Sequence, residues 1–156
     1  MSSNNQPPMP AHHHATPTRP CAPARPEPVP TALTQPYWDA AKQGKLAIQR
    51  CADCGFYHHP PALLCSRCAS IKLAYEPVSG KGKIMTRTIM RDARVAGFEK
   101  AVPYAVIVVE LDEQPGLFMI ANLIGAAVEA AQPDLRVEVD FEAISGGFML
   151  PQFKPA

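Results

Sequence analysis

Arg50-Cys51-Ala52-Asp53-Cys54-Gly55, followed after ten further positions counted from Cys54 by Cys65-Ser66-Arg67-Cys68, decides how this 156-residue chain folds. Each Cys-x2-Cys pair sets two thiolates on one tight turn whose backbone amides can point at the sulfurs. Two such knuckles supply four soft donors in a tetrahedron, which zinc accepts without geometric penalty. Gly55 suits the positive φ on which a knuckle closes, and Arg67 can offset thiolate charge. The spacing predicts one structural zinc ion on Cys51, Cys54, Cys65 and Cys68. Four thiolates leave no open position for water or substrate, so a catalytic metal is not expected. Three alternatives share these residues: iron on the same four thiolates, a pair of redox disulfides, and a site in which His58 or His59 replaces one cysteine. Two pairs at this spacing favour zinc. A ribbon this small cannot bury a core unaided, so the metal is expected to supply its folding free energy, on the order of 10 kcal/mol.

Outward from the knuckles the chain changes character. On the N-terminal side, Thr34 to Lys45 reads as a short helix: Thr34 to cap it, Pro36 in its first turn, Gly44 to close it, and Tyr37, Trp38 and Ala41 on one side. Before it, residues 1–34 carry prolines at 7, 8, 10, 17, 20, 23, 26, 28 and 30, with His12-His13-His14 and a lone Cys21. Proline at this density removes donors and blocks helix and sheet alike, so 1–34 is expected to be a disordered, polyproline-like tail. On the C-terminal side the chain reads as strands: Ile84 to Met90, Tyr104 to Leu111, Leu117 to Ile124, Val137 to Ile144 and Phe148 to Phe153, with a helical turn between Gly125 and Gln132. With the glycine-rich entry Ser79-Gly80-Lys81-Gly82, five short strands predict a mainly β chain: an N-terminal helix and zinc ribbon over 35–74, then a five-stranded OB-fold barrel over 75–156.

Composition narrows the class of partner. Hydrophobic residues make up 47% of the chain, enough for a core, but aromatics only 7%, so that core must rest on aliphatic side chains. A formal net charge of +1 argues against nucleic acid as the main partner. No apolar run reaches the ~18 residues of a membrane helix, and the N-terminus does not read as a secretory signal. Five cysteines, four of them in metal-type pairs, fit a reducing compartment. The expectation is a soluble cytoplasmic protein.

The order of motifs resembles a known bacterial and archaeal family, a rubredoxin-like zinc ribbon followed by an acyl-CoA-associated OB-fold, once grouped as a domain of unknown function. The residues that carry the resemblance are Tyr37-Trp38, Gly44-Lys45-Leu46, Arg50-Cys51-x2-Cys54-Gly55, Pro60-Pro61 before Cys65-x2-Cys68, Ser70, Val78-Ser79-Gly80-Lys81-Gly82, Pro103-Tyr104 and Leu150-Pro151-x-Phe153. They cover nearly everything after residue 34; the proline-rich tail is not part of the pattern. Tyr75 stands where that family commonly has tryptophan, and Pro133-Asp134-Leu135-Arg136 replaces a glycine-containing turn. The resemblance implies an accessory subunit in a hetero-oligomer with a thiolase-like protein that makes or cleaves a carbon–carbon bond, or with an acyl-CoA hydratase. The partner would hold the catalytic residues, and the small chain would organise the assembly and contact a CoA thioester.

Beside the zinc ligands, one stretch carries a candidate binding function. Lys81, Lys83, Arg87, Arg91, Arg94 and Lys100 make the chain locally basic after the ribbon. Of these, Lys81, Lys83, Arg87, Arg91 and Arg94 are candidate contacts for CoA phosphates, a role that arginine forks suit. Against this stands a solvated charged strand balanced by Glu76, Asp92 and Glu99. The loop Val95-Ala96-Gly97-Phe98 is a second candidate contact. No catalytic constellation reads from the chain: Ser79 and Ser145 lack a neighbouring base, and Glu110, Asp112 and Glu113 cluster at a turn where solvent exposure is expected. A functional rival from another class is single-stranded nucleic-acid binding, which barrels and ribbons of this kind also serve. It asks for aromatics amid basic residues on one barrel face.

Overall fold

The computed structural model describes residues 25–92, 94 and 96–156. Most of the expected tail, with His12, His13, His14 and Cys21, lies outside the described residues. Residues 25–31 run without regular structure into a turn at 32–34. Helix α1 then spans Gln35–Lys42, shorter than the expected 34–45. Thr34 does not cap it through its side chain, because its backbone is already right-handed, at φ −97° and ψ −10°. Its Oγ1 instead accepts from the Thr31 amide at 2.9 Å. At the other end the amides of Gly44 and Lys45 return to the carbonyls of Ala41 and Ala40 at 2.9 and 3.0 Å. This pairing satisfies two terminal carbonyls and stops the helix after Lys42.

The ribbon is a three-stranded antiparallel sheet, ordered β2-β1-β3, of β1 (Ala47–Cys51), β2 (Tyr57–His58) and β3 (Leu73–Pro77). The expected boundary between 74 and 75 thus falls inside β3, which pairs along the whole of β1. The barrel follows, with β4 (Lys81–Met90), β5 (Tyr104–Leu111), β6 (Phe118–Leu123), β7 (Arg136–Ala143) and β8 (Met149–Pro155). It closes in the order β4-β5-β6-β8-β7, with β7 pairing back to β4. Every pairing is antiparallel except β6 with β8, where Leu123 faces Phe153 in parallel. A closed barrel of five strands is the OB-type architecture expected from the strand pattern. The turn between β6 and β7 holds a short 3-10 segment at Val128–Ala130.

Strand β5 alternates without a break, so Ala105, Ile107, Val109 and Leu111 point inward and the residues between them face out. Met119, Ala121 and Leu123 from β6, Ile84, Val137 and Phe153 complete the core. Leu46 and Ile48 of the ribbon belong to the same buried cluster, so ribbon and barrel share one core. Further bonds lock the two together. Gln114 clamps the backbone of Tyr57, accepting from its amide at 2.9 Å and donating to its carbonyl at 3.3 Å. The Val78 amide donates to the Leu46 carbonyl at 2.9 Å.

Gly82 sits where β4 is flanked by both β5 and β7, opposite Leu111 and Val137. A Cβ there would lie 2.4 Å from the Glu110 carbonyl oxygen and 2.7 Å from Val109 Cγ1. The first of these is backbone and cannot rotate away. Gly82→Ala is therefore expected to destabilise the barrel by roughly 1–3 kcal/mol, read as a lower urea midpoint. An unchanged midpoint would show that the strands have room to part. Among the described residues no helix is long and apolar enough to cross a membrane.

Candidate metal centre

The two knuckles are built alike. Cys51 ends β1, and the Gly55 amide returns to the Cys51 carbonyl at 2.8 Å, with Gly55 at φ +73°. In the second knuckle the Ala69 amide returns to the Cys65 carbonyl, also at 2.8 Å, and Ala69 takes φ +58°. The first knuckle has the residue this conformation prefers and the second does not. A side chain held in the left-handed region costs roughly 1–2 kcal/mol. Ala69→Gly is expected to stabilise the ribbon by about 1 kcal/mol, net of the entropy glycine loses on folding. The test is resistance of zinc to a competing chelator, which should rise; a fall would show that the methyl group packs usefully.

The four sulfurs lie within 4.8 Å of one another. Cys51 Sγ is 3.6 Å from Cys68 Sγ, and Cys54 Sγ is 3.5 Å from Cys65 Sγ. A tetrahedron with zinc–sulfur bonds of ~2.3 Å has edges of ~3.8 Å, so the donor set fits that ion. The charge balance agrees. Burial raises the Cys51 thiol, but the amides of Cys54 and Asp53 and the neighbouring thiols outweigh it and bring it down to about 6. The Ser70 amide lowers Cys68, yet Cys54, burial, Cys65 and Cys51 together overcome this and push it up to about 12. Four thiols this close cannot all ionise without a cation between them, which zinc would supply; His58 and His59 are not part of the cluster.

Residues outside the sulfurs hold the knuckles in place through contacts that the sequence reading, which quoted Arg50 and Ser70 only as part of the resemblance, did not assign. Arg50 Nε donates to the Gly55 carbonyl at 3.1 Å, and Arg50 Nη1 pairs with Glu76 at 3.1 Å. Asp53 bridges the knuckles, accepting from Ser70 Oγ at 2.7 Å and Lys72 Nζ at 3.0 Å. Those two bonds hold the Asp53 carboxyl below the usual range. The signal was legible only as polar residues adjoining cysteines. Arg67, expected to offset thiolate charge, has its guanidinium 6.0 Å from the centre of the Phe56 ring.

The five basic candidates do not gather into a pocket. They are strung along β4 and the loop after it, over roughly 30 Å at strand spacing. Lys83 pairs with Glu110 at 3.6 Å, and Arg94 with Asp92 at 3.0 Å. Arg87 donates to the carbonyls of Glu129 and Val128 at 3.3 and 3.5 Å. Lys81 and Arg91 carry no ion pair among the described residues. The turn carboxylates are not simply solvated as expected. Glu113 accepts from the Ser79 amide at 2.6 Å and Glu110 from the Gly116 amide at 2.9 Å. Asp112 takes a two-pronged bond from Arg136, which holds its carboxyl low. Ser79 Oγ accepts from the Lys81 amide at 3.1 Å. These bonds are structural, and no nucleophile–base pair forms around either serine among the described residues.

What the barrel does present is an apolar groove. One part, about 300 Å³, lies between α1, the ribbon and the barrel, lined by Tyr37, Trp38, His59, Pro61, Ile120 and Pro151 among others. Trp38, the single tryptophan, packs edge-on between Tyr37 and Phe148 at 5.0 and 5.6 Å. Burial pushes the His59 imidazole, which lines the groove, below its usual value. A second part, about 320 Å³, adjoins the first through Ile120, Leu150 and Pro151 and extends to Phe98 and Tyr104. Leu63, Leu64 and Ile71 near the knuckles are exposed as well, Ile71 at 81%.

Two family models match this chain: the rubredoxin-like zinc ribbon domain of ChsH2 over residues 38–73, and the C-terminal OB-fold domain of ChsH2 over residues 75–142. A probable enoyl-CoA hydratase alpha subunit of Thermomonospora curvata is 33% identical over 132 residues. The match takes in 85% of this chain, which spans 40% of that subunit's length. A DUF35 domain-containing scaffold protein of Pyrococcus furiosus is 30% identical over 103 residues, 66% of this chain and 74% of its own. Among solved structures, a chain described as Ltp2-ChsH2(DUF35) aldolase superposes with a TM-score of 0.74 at 31% identity, covering 83% of this chain and 98% of that one.

Proposed function

From the premise that this chain belongs to the ChsH2-type DUF35 family, a rubredoxin-like zinc ribbon joined to an OB-fold, we propose that it is the non-catalytic subunit of a CoA-thioester enzyme complex. The partner is a thiolase-like protein that makes or cleaves a carbon–carbon bond, and zinc keeps the ribbon rigid enough to dock. The observation that carries this reading is coverage: the likeness to the aldolase-associated chain runs over 98% of that chain. The likeness to the hydratase alpha subunit stops at 40% of it. The exposed Leu63, Leu64 and Ile71 on a metal-clamped scaffold supply the apolar surface that such docking uses. The hydratase reading stands second, supported by the identity to that alpha subunit.

The test is affinity purification of the full chain from its native cell. A thiolase-like chain in stoichiometric amount is the expected result; a hydratase chain would move the second reading to first place, and no enzyme subunit at all would contradict both. The same complex tests the proposed CoA contacts at Lys81, Lys83, Arg87, Arg91 and Arg94. Lys81 and Arg91, whose side chains have neither an ion pair nor the backbone-carbonyl partners that Arg87 has among the described residues, are the informative positions. Lys81→Ala and Arg91→Ala should each weaken CoA binding severalfold. Unchanged affinity in both would remove phosphate contacts from this strand.

A further inference from the structure

We propose that the zinc site is also a peroxide-sensitive switch, in which Cys68 is oxidised first and Cys51 then closes a disulfide with it. The oxidation chemistry stands on the four sulfurs alone; its consequence for assembly rests on the docking proposed above. The four ligands are not equally sheltered. Cys51 and Cys65 are 1% exposed, Cys54 is half-buried, and Cys68 is exposed. The fold explains this asymmetry. The first knuckle continues from β1 and is backed by Arg50, whose Nε holds the Gly55 carbonyl. The second knuckle belongs to no strand, and Ser66, Arg67 and Ala69 around Cys68 are all exposed. The Arg67 side chain reaches toward the Phe56 ring. A thiolate sulfur within reach of solvent is the one that a small oxidant meets.

Hydrogen peroxide is the oxidant. The Cys68 sulfur attacks one peroxide oxygen with an electron pair, the O–O bond breaks, hydroxide leaves, and Cys68 becomes a sulfenic acid. A sulfenic acid condenses with a thiolate at hand, and Cys51 Sγ stands 3.6 Å away. Its sulfur attacks that of Cys68, the S–S bond forms, the S–O bond breaks, and a second hydroxide leaves. Two thiolates have lost two electrons, one peroxide has become two hydroxides, and two protons from solvent turn these into water. Cys54 and Cys65 remain as thiolates, and two donors do not hold zinc where the closed site uses four. Leu63 and Leu64 directly precede Cys65, and Ile71 follows Ser70. The exposed apolar surface is therefore carried by the knuckle that the oxidation frees of metal. The oxidised chain lets go of its enzyme partner, and a thiol reductant with zinc restores the contact.

The test uses the full zinc-loaded chain with Cys21→Ser, so that only the zinc ligands carry thiols. Hydrogen peroxide is added beside a chromogenic zinc chelator, and the products are mapped by proteolysis and mass spectrometry without reduction. The expected result is one zinc released per peroxide consumed, a disulfide between Cys51 and Cys68, and zinc binding recovered once dithiothreitol and zinc are supplied. Release should slow about tenfold in Cys68→His, which keeps a fourth ligand but removes the exposed thiolate. Zinc retained under peroxide, a disulfide confined to one knuckle, or zinc lost from Cys68→His as fast as from the parent would each overturn the proposal. Dimedone trapping in the parent covers the case in which Cys68→His binds no zinc: the tag is expected on Cys68, and a tag on another cysteine is the contrary result. Mixing reduced and oxidised chain with the co-purified partner reads the assembly consequence separately. Partner bound by the reduced chain alone is expected. Partner bound by both would overturn the switch, and partner bound by neither would contradict the docking instead.

Discussion

Cys65→Ser should yield a chain without zinc, whose residues 52–72 exchange their amides freely while the barrel remains protected. Cys65 is 1% exposed and closes the second knuckle through its bonds to Ala69 and Ser70. Losing one of four thiolates removes most of a metal-binding free energy of roughly 10 kcal/mol or more. Little else holds the ribbon. Its sheet is two residues wide at β2, and its tips expose Leu63, Leu64 and Ile71. The protected remainder should begin at β1, because Leu46 and Ile48 pack into the barrel core. Cys21→Ser is the control: it removes the one cysteine outside the pairs and should leave zinc at one per chain. Elemental analysis with residue-level exchange reads both variants, and full zinc content in Cys65→Ser would show that another residue can complete the site.

Phe153→Ala carries the second large effect. Phe153 is fully buried and the largest such side chain in the barrel. It also stands at the closure, facing Leu123 of β6 in parallel and Val139 of β7 in antiparallel register. Its carbonyl accepts from the Ile124 amide at 2.8 Å. Truncating a buried phenylalanine to alanine costs ~3–5 kcal/mol through lost transfer energy and the cavity left behind. Because β6 and β8 pair at a single point, collapse around that cavity is hard to achieve without opening the barrel, so the cost should lie toward the upper end. Urea unfolding followed by far-UV circular dichroism measures it. A midpoint near that of the unmodified chain would mean that the barrel closes without this side chain.

Much of this was legible because two local signals are strong here. The paired Cys-x2-Cys motif pointed to the metal ligands directly, since tetrahedral thiolate chemistry needs that local geometry. A continuous run rich in β-branched residues located β5 to the residue, although which of its side chains face inward shows only in the folded barrel. Contacts that depend on distant segments were not legible. β2 is too short to show a period, and the pairing of β3 with β1 joins segments more than twenty residues apart. Asp53 meets Ser70 and Lys72 only after both knuckles form. Thr34 fails as a cap because the turn at 32–34 has already set its backbone helical, which no single-residue preference reveals. The basic residues after the ribbon read as a cluster in one dimension but spread along a strand in three.

One thiolate-bound zinc per chain, holding the ribbon rigid, is what the whole account depends on. Amide exchange across residues 47–77 of freshly purified protein, before and after a strong chelator, tests it most directly. Protection in the first state and its loss at 52–72 in the second, with one zinc released per chain, is the predicted result. Equal protection in both states, with the thiols free of metal from the start, would contradict it.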